Sequence, residues 1–166
     1  MEIERKYLVK KIPLLDGLEK EEIEQGYLCR RPTLRIRHIN DEYVFTYKGK
    51  KNAVLSDDGN APLMNDEIER PLTKEAYEHL KGKTDGFLIT KTRYRIPLAS
   101  GLTAELDIFD GFLKGLYFVE VEFPDEKASL DFVPPDWFGR DVSPDGRYSN
   151  GYLSGLTETS QIPESQ

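Results

Sequence analysis

One alternation runs through most of this chain: charged residues two positions apart, with large apolar residues between them. It opens in Met1-Glu2-Ile3-Glu4-Arg5-Lys6-Tyr7 and returns as Arg35/Arg37, Glu67/Glu69, Lys91/Arg93/Arg95, Glu105/Asp107 and Glu120/Glu122. Side chains in a strand point alternately to its two faces, so each set shares one face. The residues between are mostly Leu, Ile, Val, Tyr or Phe. A chain written this way folds largely as strands with one charged and one apolar face.

An antiparallel sheet with its core on one side and water on the other gives the same alternation. A charged strand face is ordinarily just a solvated one. Sorting by sign sets this chain apart. Three pairs are purely acidic and two sets purely basic, where a solubilising surface more often mixes Lys and Glu with Thr, Ser and Gln. In the first strand two carboxylates and an ammonium share a face. That is a suitable start to a site holding metal ions and a polyanion together.

The alternation and its breaks predict strands over Glu2–Val9, Gln25–Arg30, Thr33–Ile39, Glu42–Lys48, Met64–Glu69, Phe87–Pro97, Leu102–Phe109 and Leu116–Phe123. Asn40-Asp41, Ser100-Gly101 and Asp110-Gly111 are turn signals, and such tight connections favour antiparallel hairpins. Thr73-Lys74-Glu75-Ala76 predicts a helix with Thr73 as N-cap and Gly82 near its end. A second short helix is expected around Asp125–Phe132, stopped by Pro134-Pro135, and a third after Ser149. The polar stretch Lys50–Asn65 reads as a loop or extended hairpin, an insertion in preference to a lid. The expected organisation is one domain over 1–157 and a flexible tail over 158–166, rich in Ser, Thr, Gln and Glu.

Eight antiparallel strands form either two sheets or a closed barrel. In a barrel the charged faces line the interior, the reverse of an ordinary small barrel. That is costly unless the charges are paired, hydrated, or filled by ions and ligand. Eight acids (Glu2, Glu4, Glu67, Glu69, Glu105, Asp107, Glu120, Glu122) stand against seven bases (Lys6, Arg35, Arg37, Lys48, Lys91, Arg93, Arg95). An enclosed charged lumen requires such a near balance.

Composition narrows the chemistry. A net charge of −7 argues against broad nucleic-acid binding, which calls for a basic domain. The single Cys29 leaves no intramolecular disulfide and suits a reducing compartment. His38 and His79 are too few for a zinc site, so carboxylates would have to hold any metal. No run approaches 18 apolar residues and the N-terminus is charged, which points to a cytoplasmic protein without a membrane partner.

Taken in order, these motifs resemble a known family. Glu2-Ile3-Glu4-Arg5-Lys6 matches the Glu-x-Glu-x-Lys signature of the CYTH proteins, also called triphosphate tunnel metalloenzymes. The match continues through Gln25-Gly26-Tyr27-Leu28, Leu34-Arg35-Ile36-Arg37, Thr46-Tyr47-Lys48, Glu67-Ile68-Glu69, Lys91-Thr92-Arg93-Tyr94, Glu105-Leu106-Asp107 and Val119-Glu120-Val121-Glu122-Phe123. Trp137-Phe138-Gly139 and Arg147-Tyr148-Ser149-Asn150 are similar to the family's closing segment. Where the family often has Asp-Lys-Arg-Tyr, this chain has Asp145-Gly146-Arg147-Tyr148.

The resemblance implies an α+β, mainly β fold: an eight-stranded antiparallel closed barrel, or tunnel, with a charged lumen and a few short helices outside. It implies that Lys6, Arg35, Arg37, Lys48, Lys91 and Arg93 bind phosphate oxygens. Glu2, Glu4, Glu67, Glu69, Glu120 and Glu122 would hold Mg²⁺ or Mn²⁺, with Glu4, Lys6, Glu122 and Asp145 at the catalytic centre. Arg and carboxylate suit these tasks, since Arg forks match phosphate oxygens and hard oxygen donors match hard cations. The implied activity is metal-dependent hydrolysis of tripolyphosphate to pyrophosphate and phosphate, with a triphosphate-containing small molecule as substrate. Alternatives within the family are thiamine triphosphate, a nucleoside triphosphate, longer polyphosphate, or an adenylyl cyclase reaction. A non-catalytic polyphosphate binder is a further one, and a homodimer is left open.

Overall fold

The computed structural model describes residues 1–51 and 61–164. Among these, nine strands form: β1 Glu2–Val9, β2 Glu19–Arg30, β3 Thr33–Ile39, β4 Glu42–Lys50, β5 Leu63–Pro71, β6 Asp85–Pro97, β7 Thr103–Phe109, β8 Tyr117–Glu122 and β9 Phe138–Asp141. Three short helices join them: α1 Lys74–Lys81, α2 Glu126–Asp131 and α3 Asn150–Leu153. Residues 52–60 of the stretch expected as an insertion lie outside the described residues.

The hydrogen-bonded order is β5-β4-β3-β2-β6-β7-β8-β1-β9, and β1 also pairs with β5. That last pairing closes eight strands into a barrel in which every pair is antiparallel. One edge of β1 is shared along its length. Glu2–Glu4 pair with β5, and Tyr7 and Val9 pair with the extra strand β9. The closed, mainly β barrel with short helices is the architecture that the charge pattern and the resemblance led to.

Two elements differ from expectation. β2 begins at Glu19, six residues early, because Glu19-Lys20-Glu21-Glu22 carries charge on both faces and hides the alternation. β9 has only four residues and includes Gly139, which the backbone of β1 requires. A Cβ there would sit 3.1 Å from the carbonyl carbon and oxygen of Leu8.

Apolar residues pack in two places. Outside the wall, Ile3, Tyr7, Val9, Leu106, Val119 and Val121 meet Phe123, Phe132 and Phe138 under α2 and β9. Burying one such side chain stabilises the fold by about 1.5–3 kcal/mol. Arg5 also faces outward, buried, donating to Asp141 Oδ2 at 2.7 Å and to Ser129 O at 2.9 Å. It ties β1 to β9 and α2. The second cluster closes one end of the barrel, where Leu8, Phe109 and Phe118 meet Tyr148, Leu153 and Leu156.

On the far wall α1 starts at its Thr73 cap, whose Oγ1 accepts from Ala76 N at 3.1 Å. It lays Tyr77 against the stacked His38 and Tyr43 rings. Beyond Thr157, a 3₁₀ turn at Thr159–Gln161 leads Ile162 onto the end cluster. Tyr148 Oη donates to Glu164 O at 2.7 Å. No described helix is long and apolar enough to cross a membrane.

Candidate active site

Residues opposite one another in an antiparallel pair share a face. Register therefore assigns the lumen directly. Glu4 stands opposite Glu122 and Lys6 opposite Glu120. Glu105 faces Glu120 on β8 and Arg95 on β6, Arg93 faces Asp107, Lys48 faces Glu67, and Thr46 faces Arg35 and Glu69. All of the expected site residues on the strands thus line one interior.

Their contacts divide them into two groups. Among β6, β7 and β8, Arg93 donates through Nε and Nη2 to Asp107 at 2.7 and 2.9 Å, and through Nη1 to Glu105 at 2.7 Å. Its Nη2 lies 3.7 Å from Glu120, and Lys6 Nζ lies 3.8 Å from the same carboxylate. Lys91 Nζ donates to Asp107 Oδ2 at 2.8 Å and to Asn150 Oδ1 at 3.3 Å. Lys6 Nζ donates to Tyr148 O at 2.9 Å. Arg95 reaches Glu21 at 3.0 Å and Glu105 at 3.4 Å nearer the barrel edge.

Among β1, β4 and β5 one cation serves three acids. Lys48 Nζ stands 2.6 Å from Glu2, 3.5 Å from Glu4 and 3.4 Å from Glu67. Arg37 pairs with Glu69 at 2.5 Å, and Glu69 is 44% exposed, so it marks the rim more than the centre.

Protonation follows this division. Burial pushes Glu4 up to about 8, with Glu120 and Glu2 adding to the effect and Lys48 opposing it. Burial raises Glu2, and it raises Glu122 with help from Glu2 and Glu105. Burial would raise Glu120 too, but Lys6, Arg93 and Lys91 overcome it and hold that carboxylate well below the usual range. Asp107 is lowered in the same way by Arg93 and Lys91. Burial depresses Lys91 to about 8, and burial with Arg35 and Arg93 nearby depresses Arg37 to about 10.

The residues present fit a divalent cation. Glu2, Glu4 and Glu67 are hard oxygen donors converging on the point that Lys48 Nζ fills, and burial raises Glu2 and Glu4 although that one ammonium opposes it. Among the described residues no three acids already stand at metal-ligand spacing, so Lys48 would have to yield. The fit extends to an anion. Arg35 Nε and Arg37 Nε are buried donors without a hydrogen-bond partner, and such groups are costly unless something accepts from them.

Asp145 stands apart from the other expected residues. Its Oδ1 accepts from Arg147 N at 3.0 Å, capping the turn Gly146–Tyr148, and its Oδ2 takes Arg147 Nη2 at 2.6 Å. Three contributors had no role assigned from the sequence, although Tyr148 and Asn150 fall in the matched closing segment. Glu21 was hidden in a charged run, Tyr148 acts through its backbone carbonyl, and Asn150 lies in a helix whose inner turn carries no charge.

Comparison with known proteins decides the family. The CYTH domain model matches residues 1–134. The chain belongs to the CYTH domain family. It is similar to the inorganic triphosphatase of Nitrosomonas europaea, at 41% identity over 158 residues, covering 92% of this chain and 96% of that protein. It is also similar to the inorganic triphosphatase of Acetivibrio thermocellus, at 34% identity over 154 residues and 92% of each chain. A solved crystal structure of an inorganic triphosphatase superposes with a TM-score of 0.67 at 36% identity, covering 95% of this chain and 96% of that one.

Proposed function

We propose that this CYTH protein hydrolyses inorganic triphosphate to pyrophosphate and phosphate with a divalent metal, Mg²⁺ or Mn²⁺. One observation carries the reading. Buried bases of β3, β6 and β1 share one closed barrel interior with the acids of β1 and β5 that gather around Lys48 of β4. The two similar proteins named inorganic triphosphatase support the substrate.

In this reading Arg35, Arg37 and Arg93 grip phosphate oxygens with paired N–H donors, and Lys6 and Lys91 add point charges. Lys48 leaves its three acids to join them. Glu2, Glu4 and Glu67 would hold the metal, with Glu122 opposite Glu4 and with Glu120 and Glu69 as outer support. The ion would neutralise phosphate charge and lower the pKa of the attacking water. Arg93, Lys6 and Lys91 stabilise negative charge developing on the phosphates during in-line displacement. Exclusion of bulk water by the barrel strengthens each of these contacts. Asp145 is left to cap its turn.

The test is phosphate release from tripolyphosphate, ATP, thiamine triphosphate and pyrophosphate, each with Mg²⁺, Mn²⁺ or EDTA. Metal-dependent release from tripolyphosphate ahead of the others is expected, falling about 100-fold or more in Glu4→Ala. Folded protein that is silent on every substrate would overturn the reading, as would near-normal turnover by Glu4→Ala.

A further inference from the structure

One buried side chain of the lumen carries no charge and has a polar atom left over. On β2, Gln25 stands opposite Arg37 and Tyr27 opposite Arg35, so both share the lumen face of those bases. Glu24 between them points the other way, accepting from Tyr77 Oη and pairing with Lys81 on the outer wall. Gln25 is fully buried. Its Nε2 donates to Tyr27 Oη at 2.9 Å, which leaves Oε1 a buried acceptor with no donor. Its neighbours on β3 have the opposite shortage: Arg35 Nε and Arg37 Nε are buried donors with no acceptor.

A carboxamide keeps its shape when its oxygen and nitrogen exchange places, so hydrogen bonding decides between the two settings. A half-turn of the Gln25 amide puts Oε1 on Tyr27, whose hydroxyl can donate as well as accept. Both N–H groups of Nε2 then point into the lumen, and the unmatched group becomes a donor like those of Arg35 and Arg37. A single anion satisfies all three. With Oε1 turned inward, an ionised phosphate leaves that acceptor stranded. We infer that Gln25 is a substrate-binding residue: Oε1 takes the Tyr27 hydroxyl, and Nε2 donates to a phosphate oxygen beside Arg35 and Arg37. This rests on the triphosphate reading and deepens it. A further Arg or Lys at this position would be a buried charge calling for its own acid whenever the lumen is empty. The amide supplies a donor without that demand.

The test measures tripolyphosphate binding to the full chain by calorimetry in EDTA, which halts turnover. Gln25→Leu should bind about tenfold more weakly, through loss of one hydrogen bond to a charged group. Gln25→Glu has the same shape and keeps an acceptor for Tyr27, but it replaces the inward N–H groups with an oxygen. It should bind about 100-fold more weakly at about pH 8, where a carboxylate beside Arg37 is ionised. A residue that merely supported Tyr27 would tolerate this change. Binding by Gln25→Glu or Gln25→Leu within about threefold of the wild-type chain would overturn the inference. A second readout needs no variant. With isotope-labelled glutamine, the Gln25 side-chain N–H signals, identified by their NOE to the Tyr27 ring, should move downfield as tripolyphosphate is added. Signals that stay in place at saturation would overturn the inference. If the variants weaken in this order while tripolyphosphate gives no phosphate with metal, Gln25 keeps its role and the proposed hydrolysis falls. Absence of tripolyphosphate binding to the wild-type chain overturns both.

Discussion

The two sides of the lumen use the same residue types and reach opposite electrostatic states. On the side of β6, β7 and β8, Arg93 alone spans Asp107, Glu105 and Glu120, and Asp107 and Glu120 are held ionised below the usual range. On the side of β1, β4 and β5, Lys48 is shared among Glu2, Glu4 and Glu67, and Glu2 and Glu4 are pushed up. The first side is settled without a ligand. The second is short of positive charge, as a metal-binding wall is before its ion arrives. In the proposed reading, sorting by sign along the strands does more than balance the lumen: it would give the interior one wall for the anion and one for the cation.

The largest effect should come from breaking the settled side. Arg93→Ala leaves the fully buried Asp107 with Lys91 as its one cation, and removing one partner of a buried ion pair costs about 3–5 kcal/mol. A urea unfolding midpoint checks this. A loss under about 1 kcal/mol would mean that the network is not the support described.

The unsettled side should show itself through pH. Glu4 keeps its proton in the folded state up to about 8, whereas the unfolded chain releases it near 4.5. The folded state therefore holds the extra proton between those values, and metal-free stability falls as pH rises through that window. A decline of about 2–4 kcal/mol is expected in EDTA, largely removed in Glu4→Gln. Stability that rises over the same range would contradict the assignment. Unfolding curves at four or five pH values suffice.

Much of this was legible in the chain itself. Lys6, Arg93 and Glu120 announce a shared face because a period of two survives any strand twist. Local alternation was enough to find eight strands, but it left two sheets and a closed barrel both open, and the barrel was what the family resemblance implied. The apolar end cluster was less legible, though its signal was present: Leu8, Phe109, Phe118 and Ile89 continue the charged face with apolar residues. Alternation says which face a residue takes, not how far along the barrel a segment distant in sequence will cap it. Arg5 escaped for the converse reason. It is a charge on the apolar face, and its partners Asp141 and Ser129 lie more than 120 residues away.

The smallest effect is expected at Asp145, which the motif placed at the catalytic centre and whose carboxylate Arg147 takes at the surface. Asp145→Asn should change tripolyphosphate turnover by less than about threefold, since exposed pairs of this kind contribute little. A loss as large as that of Glu4→Ala would bring Asp145 back into the centre.

The division of the lumen into an anion wall and a cation wall is tested most directly by titrating Mg²⁺ into the protein at pH 7 without phosphate. Calorimetry in buffers of different ionisation heat reads both binding and proton release. The account predicts saturable binding that expels a proton, because metal binding requires Glu4 to ionise. Glu4→Gln should lose both signals. Mg²⁺ binding that is equally tight in Glu4→Gln, or that releases no proton from the wild-type chain, would contradict it.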